Sequence, residues 1–406
     1  MVFATRCMIR LRADGCYKMK KKIVSNIVLL GLVSLFVDMS TEMVYPLIPL
    51  YLTATLGASP AIVGLIEGIA ESVASLLKVF SGYIGDVRRN KKQLAFIGYS
   101  AAVVYKMMLI ASSSWLGVLA ARVVDRTGKG IRTAPRDALV AEAGGKKLGS
   151  SFGLHKMLDM AGSTLGVILA YLFVTRGVGF HGAFFYSMIP AVIGILIILL
   201  VREEKGSVPP GEKLRIKGLK LNGQLKTYLA ILFVFCLGNS SNAFLLLKAG
   251  QQGFSEGQVI LLYLLYNASA SILAIPAGRL SDRIGRARVL IPGYLIYGAV
   301  YLGFALITDK TAFVLMFAAY GAYNALISGA ERAFVAENAP EGLKGTVLGL
   351  YGMLQGVGLL LASVIAGLLY AVNSGAPFVF GGTLGVLSAA AVALMMGRGR
   401  EVASRV

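Results

Sequence analysis

Gly278-Arg-Leu-Ser-Asp282-Arg283-Ile-Gly285-Arg286-Ala-Arg288 is a short basic knot between two long apolar runs. An offset of 196 residues upstream stands a relative of it, Gly82-Tyr-Ile-Gly-Asp86-Val-Arg88-Arg89-Asn-Lys91-Lys92, in the same setting. Working outward from both, apolar runs recur along all 406 residues, 56% of which are hydrophobic and only 15% charged. A soluble chain of this size needs more polar surface to cover its core. Runs of about 20 residues match the thickness of a hydrocarbon core. Backbone polar groups in that medium must pair internally, which leaves helices or a closed barrel. The runs are continuous rather than alternating, so they predict helices. The expected fold is an all-α membrane protein of twelve transmembrane helices in two pseudo-symmetric six-helix halves. The predicted spans are 24–52, 59–84, 93–112, 115–140, 149–175, 182–201, 227–248, 256–280, 287–307, 311–336, 345–372 and 376–397.

The net charge of +20 would suggest nucleic acid in a soluble protein. Its distribution removes that reading. Lys and Arg gather in every second loop (88–92, 146–147, 202–226 and 279–288), and the loops between hold almost none. This positive-inside alternation predicts both termini in the cytoplasm, with anionic lipid as the partner of the charge. The domains expected are a tail 1–22, a first half 23–201, a linker 202–226 rich in Lys, Arg, Gly and Pro, a second half 227–397 and a tail 398–406. Residues 1–18 lack a signal-peptide cleavage site, and Met19 before three lysines reads as a plausible start. Cys7, Cys16 and Cys236 have no metal-ligand spacing, and neither metal nor cofactor is expected.

The offset of 196 also carries Gly57, Ser59, Val63 and Leu65 onto Gly253, Ser255, Val259 and Leu261. It carries Gly149, Gly153, Leu154, Met157, Leu158 and Gly162 onto Gly345, Gly349, Leu350, Met353, Leu354 and Gly358. Three clusters at one offset mark an internal repeat. The 278–286 stretch resembles the G-x3-D-R-x-G-R signature of the major facilitator superfamily, with Val87 and Arg89 departing from it in the first copy. Arg122-Val-Val-Asp125-Arg126-Thr-Gly128-Lys129-Gly130 resembles the superfamily's helix-4 motif, with Arg126 in place of a Gly. Asp38–Glu42 and Gly128–Asp137 are similar to a prokaryotic, drug/proton-antiporter-like branch. The resemblance implies a monomer in the cell membrane of a prokaryote. It also implies a cytoplasmic gate of Gly82, Asp86, Gly278, Asp282, Arg283, Gly285 and Arg286, with Arg136 and Arg332 as side-chain partners of the two aspartates.

Ionisable residues at membrane depth are costly and should face the bundle interior. In the first half these are Asp38, Glu42, Glu67, Glu71, Lys106, Arg122, Asp125, Arg126, Lys129, Arg132 and Asp159, read as a proton-coupling cavity set. Arg122, Asp125, Lys129, Arg132 and Arg136 step by three or four and form one helical stripe. A rise of 1.5 Å per residue puts Asp38 and Lys106 roughly 20 Å from their cytoplasmic helix ends. The second half offers neutral groups at matched positions: Asn239, Asn242, Tyr263, Asn267, Asn324 and Gln355, expected to shape the substrate cavity.

Repeated halves around a midplane site suit alternating access. The expectation is a secondary active transporter, proton-coupled, that exports small organic molecules. No nucleotide-binding loop is present to supply ATP drive. The alternatives are an organic-anion or phosphate exchanger or uptake system using the Arg stripe, and a non-transporting membrane sensor. Opposite charges nearly balance, so the stripe alone does not imply an anion. No nucleophile–base pairing points to an enzyme.

Overall fold

The structure, a computed structural model, describes residues 26–88, 91–144, 148–203, 221–340 and 344–404, and every regular element among them is helical. In chain order these are α1 (Asn26–Thr55), α2 (Pro60–Arg88), α3 (Lys91–Ala111), α4 (Trp115–Gly144), α5 (Leu148–Thr175) and α6 (Gly179–Leu200). They continue as α7 (Gly223–Gln251), α8 (Glu256–Ile284), α9 (Arg286–Leu306), α10 (Lys310–Glu337), α11 (Lys344–Val372) and α12 (Ala376–Ser404). Eleven helices among the described residues are long and apolar enough to cross a membrane. The exception is α4, which is 30 residues long but carries the charged stripe. Large apolar side chains such as Ile272, Leu306 and Leu394 stand 70–75% exposed on the outside of the bundle, as lipid-facing residues do.

Local chemistry explains the joints. Asn222 caps α7 by accepting the Leu225 N–H at 2.7 Å, so that helix starts four residues before the apolar run. Ser255 and Gln258 form a capping box at the start of α8. Gly285 takes φ +93° between α8 and α9, a conformation that L side chains rarely adopt. Pro46 and Pro49 tighten α1 into a 3₁₀ turn at Tyr45–Leu47, followed by a π-turn at Tyr51–Thr55. The second interruption, Asn239–Asn242 in α7, holds no proline; Tyr297 donates to the freed Gly238 carbonyl at 2.7 Å.

α2 lies against α4 and α11, α3 against α4 and α6, and α5 against α8. α8 packs on α10, α9 on α10 and α12, and α7 on α11 and α12. The α2–α11 seam is close from Ala61 to Ser75, where a Cβ at Gly356 would lie 2.5 Å from the Ser75 Cβ. A Cβ at Gly64 would overlap the Ser363 carbonyl, and one at Gly367 would lie 2.8 Å from the Ala61 Cα. Further along, Ser72 donates to the Gly356 carbonyl at 2.9 Å.

Candidate functional site

A cavity of about 500 Å³ opens among α1, α2, α4, α5, α8 and α10, toward the end of the bundle that bears the basic loops. Its walls hold seven basic and six acidic side chains. Exposure falls from 65% at the Lys156 side chain to 3% at Arg126, so the cavity has a wet mouth and a dry floor.

The floor is an ion-pair network between α2 and α4. Arg122 is fully buried and donates to both Glu67 oxygens at 2.7 and 2.8 Å. Arg126 pairs with Glu71 at 2.9 Å. Asp125 stands between the two guanidinium groups at 3.6 and 3.8 Å. The Tyr45 ring covers both, 5.5 Å from Arg122 and 5.9 Å from Arg126. The break in α7 reaches this floor, with Ser241 donating to Glu67 at 3.4 Å.

The walls come from facing helices. Asp38 on α1 and Asp159 on α5 line the cavity where these helices approach, and Lys156 donates to Asp159 at 2.7 Å. Glycines make that approach possible, because a Cβ at Gly162 or Gly166 would strike the Leu35 or Met39 carbonyl. Glu42 accepts from Tyr263 of α8 at 3.1 Å. Lys129, Arg132 and Arg136 continue the α4 stripe, and Arg136 donates to Asp137 at 2.8–2.9 Å.

Of the residues singled out in the sequence, Asp38, Glu42, Glu71, Asp125, Arg126, Lys129, Arg132, Asp159 and Tyr263 line this cavity. Glu67 and Arg122 lie beneath it. Lys106 does not reach it: α3 contributes no lining residue, and the ammonium donates to the Ala102 carbonyl of its own helix at 3.1 Å. Apart from Tyr263, the neutral second-half set is gathered elsewhere, among tyrosines. Asn239 donates to Tyr323, Tyr320 to Asn242 and Asn324 to Tyr266, at 3.0–3.2 Å. Asn267 turns back to the Tyr263 carbonyl, and Gln355 donates to Tyr351 and Glu331. These amides are used in packing rather than presented to this cavity.

Arg136 and Arg332, expected at the gate, both line the cavity. Gly82 and Asp86 lie near the end of α2, and Gly278, Asp282 and Arg283 near the end of α8. The side chains of Asp86 and Asp282 are outside the described residues. Arg286 pairs with Glu337 at 2.7 Å, joining α9 to α10. Sequence reasoning did not place Asp137, Lys78 or Glu331 among the site residues, and Asp137 lines the cavity beside Arg136. Lys78 lines the cavity seven residues after Glu71, on the same helical face, and that spacing was the available signal. Glu331 is a buried acid of the second half, accepting from Tyr294 and Tyr351 at 2.8 Å; its place near a helix end concealed it.

This helical membrane bundle with a charged central cavity has the architecture of a solute carrier. A sequence model of the Major Facilitator Superfamily matches residues 30–248 and 227–406, and the chain belongs to that family. It is 38% identical over 379 residues to the MFS-type transporter MJ1317 of Methanocaldococcus jannaschii, covering 91% of this chain and 94% of that protein. The inner membrane transport protein YajR of Escherichia coli is 24% identical, with coverage of 80% and 73%. Among solved structures, a nucleoside transporter NupG superposes with a TM-score of 0.79 at 13% identity, over 91% of this chain and 99% of that one. The POT family transporter PepTSo gives 0.77 at 12% identity, over 93% and 98%. The chain is therefore a multi-pass membrane transporter of a prokaryotic MFS branch, with a small molecule as its substrate.

Proposed function

We propose a proton-coupled secondary transporter that exports small organic molecules by alternating access. Twelve crossings in two six-helix halves would carry it, with α4 admitted as the twelfth because its charges turn inward onto the acids of α2. The carboxyl set Asp38–Asp159, Glu42 and Glu71 around a cavity open at one end is the observation that carries the reading. Asp38 and Asp159 share this cavity, and a proton held by one of them would be released when α5 moves against α1. The opening of the cavity toward one end of the bundle supports an arrangement open at that face and shut at the other. With the basic loops in the cytoplasm, this is an inward-open state. Asp86 and Asp282 are assigned to the latch that closes that face in the opposite state.

The test is proton movement in liposomes holding the purified protein and a pH dye, with solutes added singly under an imposed pH gradient. A solute that moves protons, and is itself concentrated, supports the reading. Asp38→Asn and Glu71→Gln should then abolish gradient-driven accumulation while sparing counterflow exchange. Wild-type accumulation in variants neutralised at Asp38, Glu42, Glu67 and Glu71 would make the network structural only. Binding without flux would favour a sensor.

A further inference from the structure

Counted by charge alone the cavity is almost balanced; counted by partners it is not. Asp125 is held by Arg122 and Arg126, Glu71 by Arg126, Asp137 by Arg136 and Asp159 by Lys156. Lys78 of α2, Lys129 and Arg132 of α4, and Arg332 of α10 are left over: among the described residues none of them forms an ion pair. Arg132 is the telling case. It is 4% exposed, it lines the cavity, and its Nη1 is buried without a hydrogen-bond acceptor. Its guanidinium rests against the Tyr99 ring at 4.9 Å, which fixes its plane. A buried guanidinium short of acceptors is costly, and this side chain lines the cavity, where an oxyanion supplies the counter-charge it lacks.

We propose that Lys78, Lys129, Arg132 and Arg332 form the docking site for an anionic oxygen group, carboxylate or phosphate, on a water-soluble cargo. The inference rests on the transporter reading above and names its substrate class. The site draws on α2 and α4 in one group of helices and on α10 in the other. An anion held there ties the two together at the cavity mouth, where Arg332 is exposed. A cargo without such a group leaves four cations with only Asp38 and Glu42, the two cavity acids that have no ion pair among the described residues, to oppose them. Glu42, whose side chain accepts from the Tyr263 hydroxyl and has no ion pair among the described residues, receives a donor group of the same molecule.

The experiment measures thermal unfolding of the whole purified protein in phospholipid-free detergent at fixed ionic strength. The probes are inorganic phosphate, succinate, maltose and tetraphenylphosphonium. Phosphate or succinate should raise the Tm saturably, and maltose and the lipophilic cation should not. Lys78→Gln and Arg332→Gln should each weaken the anion about tenfold or more, with Lys78→Arg restoring it. No shift with either anion, a shift that survives in the Lys78→Gln/Arg332→Gln double variant, or stabilisation by the cation alone overturns the proposal. Proton flux driven only by neutral or cationic solutes would sink the anion site and leave the transporter reading standing. Anion binding without any flux would do the reverse.

Discussion

Arg122 shows what a single residue contributes here. Its guanidinium has no solvent, and both oxygens of Glu67 are committed to it. Removing one member of such a pair strands a buried charge, at a cost of roughly 3–5 kcal/mol, whereas removing both costs less. Glu67→Gln should therefore lower the thermal stability of the detergent-purified protein more than the Glu67→Gln/Arg122→Gln double variant does. Equal or larger loss in the double variant would show that the pair contributes no more than its separate contacts. Glu331 is a different kind of buried acid, ringed by Tyr294, Tyr351 and Gln355 rather than by a cation. The sequence marks Glu67 as an acid within an apolar run, whereas Glu331 was concealed by its place near a helix end. Partner type, cation against tyrosine, is a three-dimensional fact that no local spacing encodes.

At the scale of elements, the decisive contacts are those where a side chain would be excessive. The Gly64 position against Ser363 sets how closely α2 meets α11 at the end away from the basic loops. Gly64→Val should prise that seam apart. A cysteine introduced by Ala61→Cys should then react faster with a membrane-impermeant maleimide than it does beside Gly64, and an unchanged rate would show that the seam yields elsewhere. The apolar runs made the helices legible to within a few residues. The tilt of each face was readable wherever charge recurred at three or four residues, as along α4 and from Glu71 to Lys78. Neutral amides gave no such guide. Asn239, Asn242 and Asn324 were expected in the substrate cavity, yet tyrosine hydroxyls absorb them, because an amide satisfied by a neighbour has no need of water or cargo. The break in α7 was equally hidden, since its freed carbonyl is met by a tyrosine 59 residues away rather than marked by proline.

For the whole molecule, the basic loops predict that tags at residues 90, 215 and 400 report the cytoplasm and one at 180 the exterior. An external signal from 215 would overturn the two-half architecture. Alternating access makes a second demand, that the α2–α11 seam opens during each cycle. Gly367 admits no Cβ while the seam is closed, because one there would lie 2.8 Å from the Ala61 Cα. A Gly367→Val variant, unable to close this seam, should reach the membrane at wild-type level and lose solute flux. Wild-type flux in that variant would mean that the cycle does not depend on closing this seam.

The charge stripe of α4 also bears on how the chain reaches its membrane. A helix carrying Arg122, Asp125, Arg126, Lys129 and Arg132 is a poor candidate for release into lipid by itself, at about 2.5–3.5 kcal/mol for each such group near the centre. Its counter-charges, Glu67 and Glu71, are on α2, already synthesised when α4 emerges. Integration of α4 is thus cooperative in time: an earlier helix must wait at the insertion machinery to receive it. A nascent fragment ending near residue 148 should show α4 integrated by glycosylation mapping. The same fragment with Glu67→Ala and Glu71→Ala should let it slip through, and integration unchanged by these substitutions would show that α4 needs no earlier partner.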